Sequence, residues 1–127
     1  MNILLDTHTL FWWFGEPRKL SKRAVSIIAS SKNTVLVSAA TAWELAIKVN
    51  LGKLRALSLV VELGRHTQEE GFIELPINLD QATRAGLLPL HHRDPFDRLL
   101  VAQAQDLNIP ILSADTVLDQ YCVKRLW

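Results

Sequence analysis

Short runs of aliphatic residues alternate along this chain with longer segments that have helical patterning. The aliphatic runs are rich in Val, Ile and Leu without clean polar alternation, which is typical of strands buried on both faces of a parallel sheet. Parallel strands need crossover helices between them, so the pattern predicts an α/β fold. The predicted strands cover residues 2–6, 34–39, 72–77 and 109–115, and residues 123–127 are a candidate short edge strand.

Helical segments occupy the intervals between these strands. Ser21 and Asn78 are suitable N-caps, and Gly52 and Gly71 are suitable stops. The predicted helices cover residues 20–30, 39–51, 58–70, 78–87 and 95–107. A chain of 127 residues is typical of one domain, so we expect a single domain over residues 1–127.

Composition excludes several classes of protein. With 49% hydrophobic and 21% charged residues, the chain is neither disordered nor of low complexity. The apolar N-terminal segment lacks a basic leader and contains Asp6, so we expect neither a signal peptide nor a membrane span, and a cytoplasmic location. The single cysteine, Cys122, can form neither an internal disulfide nor a thiolate zinc site.

Two carboxylates stand at the ends of predicted strands. Asp6 ends the first strand, and Asp115 ends the fourth. Ligands of open parallel sheets bind beyond the carboxyl ends of the strands, which makes both acids candidates for a functional site. Asp is also a common N-cap, so capping of the following helix would explain each acid equally well. Thr7 and Ser113 are candidates to orient these carboxylates or water, or are ordinary turn hydroxyls.

A third acid, Glu44, lies inside an apolar helix. Its neighbours Trp43 and Leu45 belong to a segment with little room for a solvated face, so the carboxylate should be close to buried. The alternative is an ion pair with Lys48 one helical turn later.

The segment HHRDPFDRLL, residues 91–100, has the pattern of a helix N-terminus. Asp94 can serve as N-cap, Pro95 occupies the first helical position and Asp97 the third. Both acids would complement the positive end of the helix dipole. A reciprocal capping box generally has Glu or Gln at the third position, so Asp97 fits the capping explanation less well than Asp94 does.

Convergence of these acids would define a particular chemistry. Clustered carboxylates raise one another's pKa values, and a divalent cation removes the conflict. A site of oxygen ligands favours Mg²⁺ or Mn²⁺ over zinc, and such an ion can activate water against a phosphodiester. The alternative is another Mg²⁺-dependent phosphoryl hydrolase or transferase with Asp6 as nucleophile. No second acid adjoins Asp6, and no lysine ends a late strand, which disfavours that alternative.

In these residues the sequence resembles PIN-domain ribonucleases, above all the toxins of VapBC-type toxin–antitoxin pairs. The likeness spans the chain and is carried by LLDTHTLFWW with Asp6, VSAATAWELAIKVNLGKL with Glu44, HHRDPFDRLLVAQA with Asp94 and Asp97, and ILSAD with Asp115. It implies a PIN-like three-layer sandwich, in which a parallel sheet of four to five strands is flanked by helices. A non-catalytic binding module on the same scaffold is the other alternative, and the presence of all four expected acids argues against it.

The resemblance also implies an activity and partners. The activity is Mg²⁺- or Mn²⁺-dependent endoribonucleolytic cleavage of RNA, and the partners are a small antitoxin and a second copy in a homodimer, with no membrane. Carried over by position, the catalytic and metal-binding acids are Asp6, Glu44, Asp97 and Asp115. Asp94 would mainly cap its helix, with an outer-shell role at the metal.

Basic residues near these acids are candidates for contact with RNA. They are Lys48, Lys53, Arg55, His92, Arg93 and Arg98. Those after the Glu44 helix could equally complement the dipole at its C-terminal end. No zinc-like spacing links His8, His91 and His92.

The segment LFWWFG, residues 10–15, is apolar on every side. On one helix, Trp12, Trp13 and Phe14 cannot all point inward. Core packing would explain part of this segment, and an antitoxin groove or a homodimer face would explain an exposed remainder.

Overall fold

A computed structural model describes residues 1–127. Its five strands are β1 (Asn2–Leu5), β2 (Thr34–Ser38), β3 (Ile73–Leu75), β4 (Ile111–Leu112) and β5 (Arg125–Leu126). Its seven α-helices are α1 (Thr7–Gly15), α2 (Lys22–Ala29), α3 (Ala39–Asn50), α4 (Leu57–Val61), α5 (Leu63–Glu69), α6 (Leu79–Leu87) and α7 (Pro95–Leu107). Short 3₁₀ turns cover Pro17–Lys19 and Thr116–Gln120. None of the helices is both long and apolar enough to cross a membrane.

All five strands lie parallel in one sheet of order β3-β2-β1-β4-β5. The side chains of β1 alternate between the two faces, with Ile3 and Leu5 in one buried cluster and Leu4 in the other. Helices α1, α2 and α5 contribute to the first cluster, and α7 contributes to the second. The predicted three-layer α/β architecture is therefore confirmed.

The order of the strands places a topological switch point at β1. The chain runs from β1 outward to β2 and β3, and then crosses to β4 and β5 on the other side. The backbone N–H of Asp6 donates to the carbonyl of Leu112 at 3.2 Å, so the ends of β1 and β4 adjoin. Ligand sites of open α/β sheets form at this kind of position.

Three elements differ from the sequence-based expectation. The predicted helix over residues 58–70 is interrupted at Glu62, where β-branched Val60 and Val61 and the nearby Gly64 weaken helical structure. Helix α1 is present in addition to the five predicted helices, and it begins directly after Asp6. Strand β4 is two residues long, because Pro110 cannot donate at its start and the chain turns after Leu112.

The aromatic run of α1 is half-buried. Trp12, Trp13 and Phe14 all pack against the core cluster that contains Ile3. Trp12 meets Trp127 edge-on at 6.0 Å between ring centroids, and Phe72 adjoins both Trp13 and Phe14. Core packing accounts for much of this segment.

Truncation of Leu4 tests the central position of β1. Leu4 is 0% exposed, so Leu4→Ala should lower the free energy of unfolding by about 2–5 kcal/mol in urea titrations. The matched control Leu87→Ala removes a side chain that is 80% exposed, and should change stability by less than about 0.5 kcal/mol. Equal effects of the two substitutions would contradict this assignment of the core.

Candidate functional site

The first acid, Asp6, serves as N-cap of α1. Its Oδ1 accepts the backbone N–H of Thr9 at 2.8 Å, and its Oδ2 accepts the hydroxyl of Ser113. Asp6 is 4% exposed, and burial raises the pKa of its carboxyl against the opposing effect of these hydrogen bonds. Asp6 therefore caps α1 as predicted, and its carboxylate also lies at the switch point.

Glu44 is the most completely buried acid of the chain, at 2% exposure. Its Oε2 pairs with Lys48 Nζ at 2.6 Å, so the alternative ion pair is present. That pair accounts for only one oxygen, since Oε1 is buried without any hydrogen-bond partner. A buried carboxylate oxygen with no donor is costly, and a cation would satisfy it.

The start of α7 brings two further acids beside Glu44. Asp94 caps the helix, and its Oδ1 accepts the N–H groups of Phe96 at 2.8 Å and Asp97 at 3.4 Å. Carboxylate oxygens of Glu44, Asp94 and Asp97 all lie within 4.8 Å of one another. Asp94 therefore caps the helix and also borders the cluster.

Asp115 approaches the same cluster from the end of β4. It caps the 3₁₀ turn, with its Oδ1 accepting the N–H of Val117 at 3.0 Å. Its Oδ2 lies 2.7 Å from His92 Nε2, and the same nitrogen lies 3.0 Å from Asp97 Oδ2. The ligand atoms of His92, Asp97 and Asp115 form a second group within 4.8 Å.

Asp97 is the member common to both groups, and its electrostatics reflect that position. Burial, and then repulsion from Asp94, raise the pKa of Asp97 to about 7. Asp6 and Glu44 add further repulsion, while His92 acts in the opposite direction. Asp97 therefore lies close enough to Asp6, Glu44 and Asp94 to be affected by their charges, and His92 links it to Asp115.

These residues fit a hard divalent cation. The donor set consists mainly of carboxylate oxygens, which Mg²⁺ and Mn²⁺ prefer. The partnerless Oε1 of Glu44 and the repulsion at Asp97 both mark a place where positive charge would be stabilised. No cysteine lies in either group, so neither resembles a thiolate zinc site.

His92 makes more contacts with the acids than its sequence context indicated. Its Nδ1 accepts the backbone N–H of Asp94 at 3.2 Å, which places the ring proton on Nε2. Nε2 can then donate to Asp97 and Asp115, so this geometry favours a hydrogen-bond donor over a metal ligand. The only sequence signal was the position of His92 two residues before a helix cap.

The two predicted hydroxyls occupy different places. Ser113 is 0% exposed, donates to Asp6 and accepts the N–H of Asp115 at 3.0 Å, so it joins two acids. Thr7 instead contacts the hydroxyl of Thr41 at 3.3 Å, which links α1 to α3.

Some of the basic candidates are engaged by other residues, and the rest are exposed. Lys48 pairs with Glu44, and His92 contacts Asp97 and Asp115, as described above. Arg98 Nη1 donates to the carbonyls of His92 and Arg93, at 2.9 Å each, and so fixes the loop before α7. Arg93, Lys53 and Arg55 are exposed. Arg55 lines a cavity of about 600 Å³ between α1 and α4 that none of the clustered acids borders.

Fold and site together define an α/β protein with buried carboxylates collected at the switch point of a parallel sheet. The chain belongs to the PIN domain family, whose model matches residues 3–124. The match includes every acid of the cluster.

Known proteins similar to this chain agree with that assignment. Ribonuclease VapC22 of Mycobacterium tuberculosis is 33% identical over 109 residues, covering 81% of this chain and 78% of the relative. The structure of VapBC2 from Rickettsia felis bound to a DNA fragment from their promoter has a TM-score of 0.72 at 12% identity, covering 99% of this chain and 98% of that chain. The structure of VapBC-1 from nontypeable Haemophilus influenzae has a TM-score of 0.65 at 15% identity, covering 99% of this chain and 97% of that chain. The two solved structures share the fold of this chain.

The charge of Asp97 should destabilise the protein when no divalent cation is bound. Because its pKa is raised to about 7, the folded state binds a proton more tightly than the unfolded chain does, and the stability cost grows as pH rises from about 4 to above 7. In EDTA at pH 8, Asp97→Asn should therefore raise the free energy of unfolding by about 1–2 kcal/mol. This gain should vanish near pH 4.

The control for this measurement is Glu70→Gln, at an exposed acid that forms no ion pair. Its stability should follow that of the wild type at both pH values. An Asp97→Asn variant less stable than the wild type at pH 8 would show that Asp97 acts chiefly as a helix-stabilising charge.

Proposed function

We propose that this chain is an endoribonuclease that hydrolyses RNA phosphodiester bonds with Mg²⁺ or Mn²⁺, and that it is the toxin of a toxin–antitoxin pair in the cytoplasm. The observation that carries the proposal is the position of Asp97. Its carboxylate lies within 4.8 Å of ligand atoms of Glu44 and of Asp115, and Oε1 of Glu44 has no hydrogen-bond partner. The identity of 33% with a ribonuclease, over 81% of this chain, supports it.

The metal-binding acids of this proposal are Asp6, Glu44, Asp97 and Asp115, with Asp94 in an outer-shell role. Carboxylate oxygens of Glu44, Asp94 and Asp97 within 4.8 Å of one another support a cation at this place. When bound, such an ion supplies Lewis-acid stabilisation of phosphate oxygens and lowers the pKa of water. The other groups orient these acids. Ser113 links Asp6 to the main chain of Asp115, because its hydroxyl donates to the carboxylate of Asp6 and accepts the backbone N–H of Asp115.

Two side chains limit the repulsion within the site. Lys48 neutralises one oxygen of Glu44 and leaves the other oxygen free to face a cation. His92 bridges Asp97 and Asp115, and its ring accepts the backbone N–H of Asp94. The backbone N–H of His92 donates to the hydroxyl of Tyr121 at 2.9 Å, which fixes the main chain at this position. Preorganised groups of this kind keep the acids close without help from solvent.

RNA would be held through its phosphates. The exposed cations Arg93, Lys53 and Arg55 are the available candidates, since Arg98 is engaged by backbone carbonyls. Contacts of this type position a strand without reading its bases. His92 and Lys48 lie within the acid cluster, where they would meet the reacting phosphate.

Protein partners are part of the proposal because large apolar side chains remain uncovered. Leu79 is 86% exposed, Leu87 80% and Trp43 60%. A partner that covered these side chains would gain the free energy of burying them. A small antitoxin that restrains the nuclease and a second copy of the chain in a homodimer are the proposed occupants.

The rival chemistry, with Asp6 as a covalent nucleophile, has less support. Both carboxylate oxygens of Asp6 accept hydrogen bonds, from Thr9 and Ser113, and the residue is 4% exposed. Attack on phosphorus requires an accessible lone pair in line with the leaving oxygen. Asp6 is better placed to organise the site.

Cleavage assays on the purified, partner-free chain test the nuclease proposal. Mg²⁺ or Mn²⁺ should support cleavage of single-stranded or structured RNA, and EDTA should stop it. Glu44→Gln and Asp97→Asn should each lower kcat/KM at least about 100-fold, because each removes a charge that holds the cation. Glu70→Gln should cleave like the wild type.

Full activity in EDTA, or in folded Asp97→Asn, would refute the metal-dependent mechanism. Mass spectrometry of the reacting enzyme distinguishes the two mechanisms, because only covalent catalysis would leave a phosphoryl adduct on Asp6.

A further inference from the structure

A buried polar network lies where α3, α6 and α7 meet. At its centre is Gln103 of α7, which is 0% exposed. Its Oε1 accepts the hydroxyl of Ser38 at 2.5 Å. Its Nε2 donates to the carbonyl of Pro76 and to Gln81 Oε1, at 3.1 Å each. One side chain thus joins the starts of α3 and α6 and the segment after β3 to α7.

The orientation of the Gln103 amide is fixed by the chemistry of its partners. Its NH₂ group faces two oxygen acceptors, so a flipped amide would lose the bonds to Pro76 and Gln81 and turn its oxygen toward theirs. The network continues from Gln81 Nε2 to Asp106 Oδ2 at 2.9 Å. Gln81 also completes a reciprocal capping box with Asn78 at the start of α6.

Hydrophobic burial does not explain a glutamine at this position. The neighbouring buried residues of α7 are apolar, including Val101, Ala102 and Ala104. An aliphatic side chain at residue 103 would avoid the cost of desolvating an amide. A fully satisfied buried amide instead fixes one arrangement of the elements it joins.

The helices joined by this amide carry two of the clustered acids. Ser38 also caps α3 by accepting the N–H of Ala40 at 3.0 Å, and Glu44 follows six residues later. Gln103 follows Asp97 by six residues on α7. Each acid is therefore roughly 9 Å along a rigid helix from the Ser38–Gln103 hydrogen bond. A shift of one helix against the other would change the separation of Glu44 and Asp97.

We propose that Gln103 is a positioning residue, whose amide locks α3 against α7 and thereby sets the Glu44–Asp97 separation that determines divalent cation affinity. The inference rests on the proposed function, since it concerns the same cation site. Gln103 acts through the helices and contacts none of the acids.

The experiment measures Mn²⁺ affinity by electron paramagnetic resonance and calorimetry, with unfolding in EDTA followed in parallel. Gln103→Met keeps the size of the side chain and removes its hydrogen bonds, and should weaken Mn²⁺ binding about tenfold or more. Ser38→Ala removes the Ser38–Gln103 hydrogen bond together with the N-cap of α3, and should also weaken Mn²⁺ binding. The double variant should lose no more affinity than Gln103→Met alone, because both changes break one connection.

Val101→Ala is the stability-matched control, because Val101 is buried on α7 and forms no part of the network. It should unfold more easily than the wild type and bind Mn²⁺ with unchanged affinity. Saturating Mn²⁺ should restore most of the kcat of Gln103→Met and little of that of Glu44→Gln. A structural role alone would not produce this split.

The outcomes separate the two proposals. A wild-type chain that does not bind Mn²⁺ contradicts the proposed metal-dependent function. If Gln103→Met binds Mn²⁺ as tightly as the wild type does, only the positioning role is overturned. The same holds if Val101→Ala loses as much Mn²⁺ affinity as Gln103→Met does. If Gln103→Met does not fold, Ser38→Ala decides the question by the same comparison.

Discussion

Repulsion among carboxylates held out of water is the interaction to which the rest of this structure responds. Asp97, with its pKa raised to about 7, lies where four other acids converge. The fold offsets this repulsion with the N-termini of helices. Asp6, Asp94 and Asp115 cap α1, α7 and the 3₁₀ turn, so backbone N–H groups and the positive ends of helix dipoles face the negative cluster.

In the sequence, capping and membership of a functional site were competing explanations of these acids, and in the structure the capping acids also lie close together. A carboxylate at the end of a parallel strand caps the next helix because strand and helix adjoin, and neighbouring strands bring such caps together. The α/β class, all five strands and the burial of Glu44 followed from local patterning. These features depend on short-range periodicity, which a sequence displays directly.

Other features depend on contacts between distant residues and could not be read from the chain. Ser113 contacts Asp6 across 107 positions, and His92 reaches Asp115 across 23. The engagement of Arg98 by loop carbonyls likewise appears only in three dimensions. Gln103 did leave a signal, as a polar residue on the buried side of an apolar helix, but its partners lie on three other segments.

The unpartnered oxygen of Glu44 has a consequence for the lifetime of the protein. A ligand that binds only the folded chain stabilises it by mass action, in proportion to the logarithm of free ligand concentration. A cation held by Glu44 and Asp97 would therefore govern resistance to proteases and heat as well as catalysis. Under the proposed function, a cell that withholds the ion would leave the protein both inactive and short-lived.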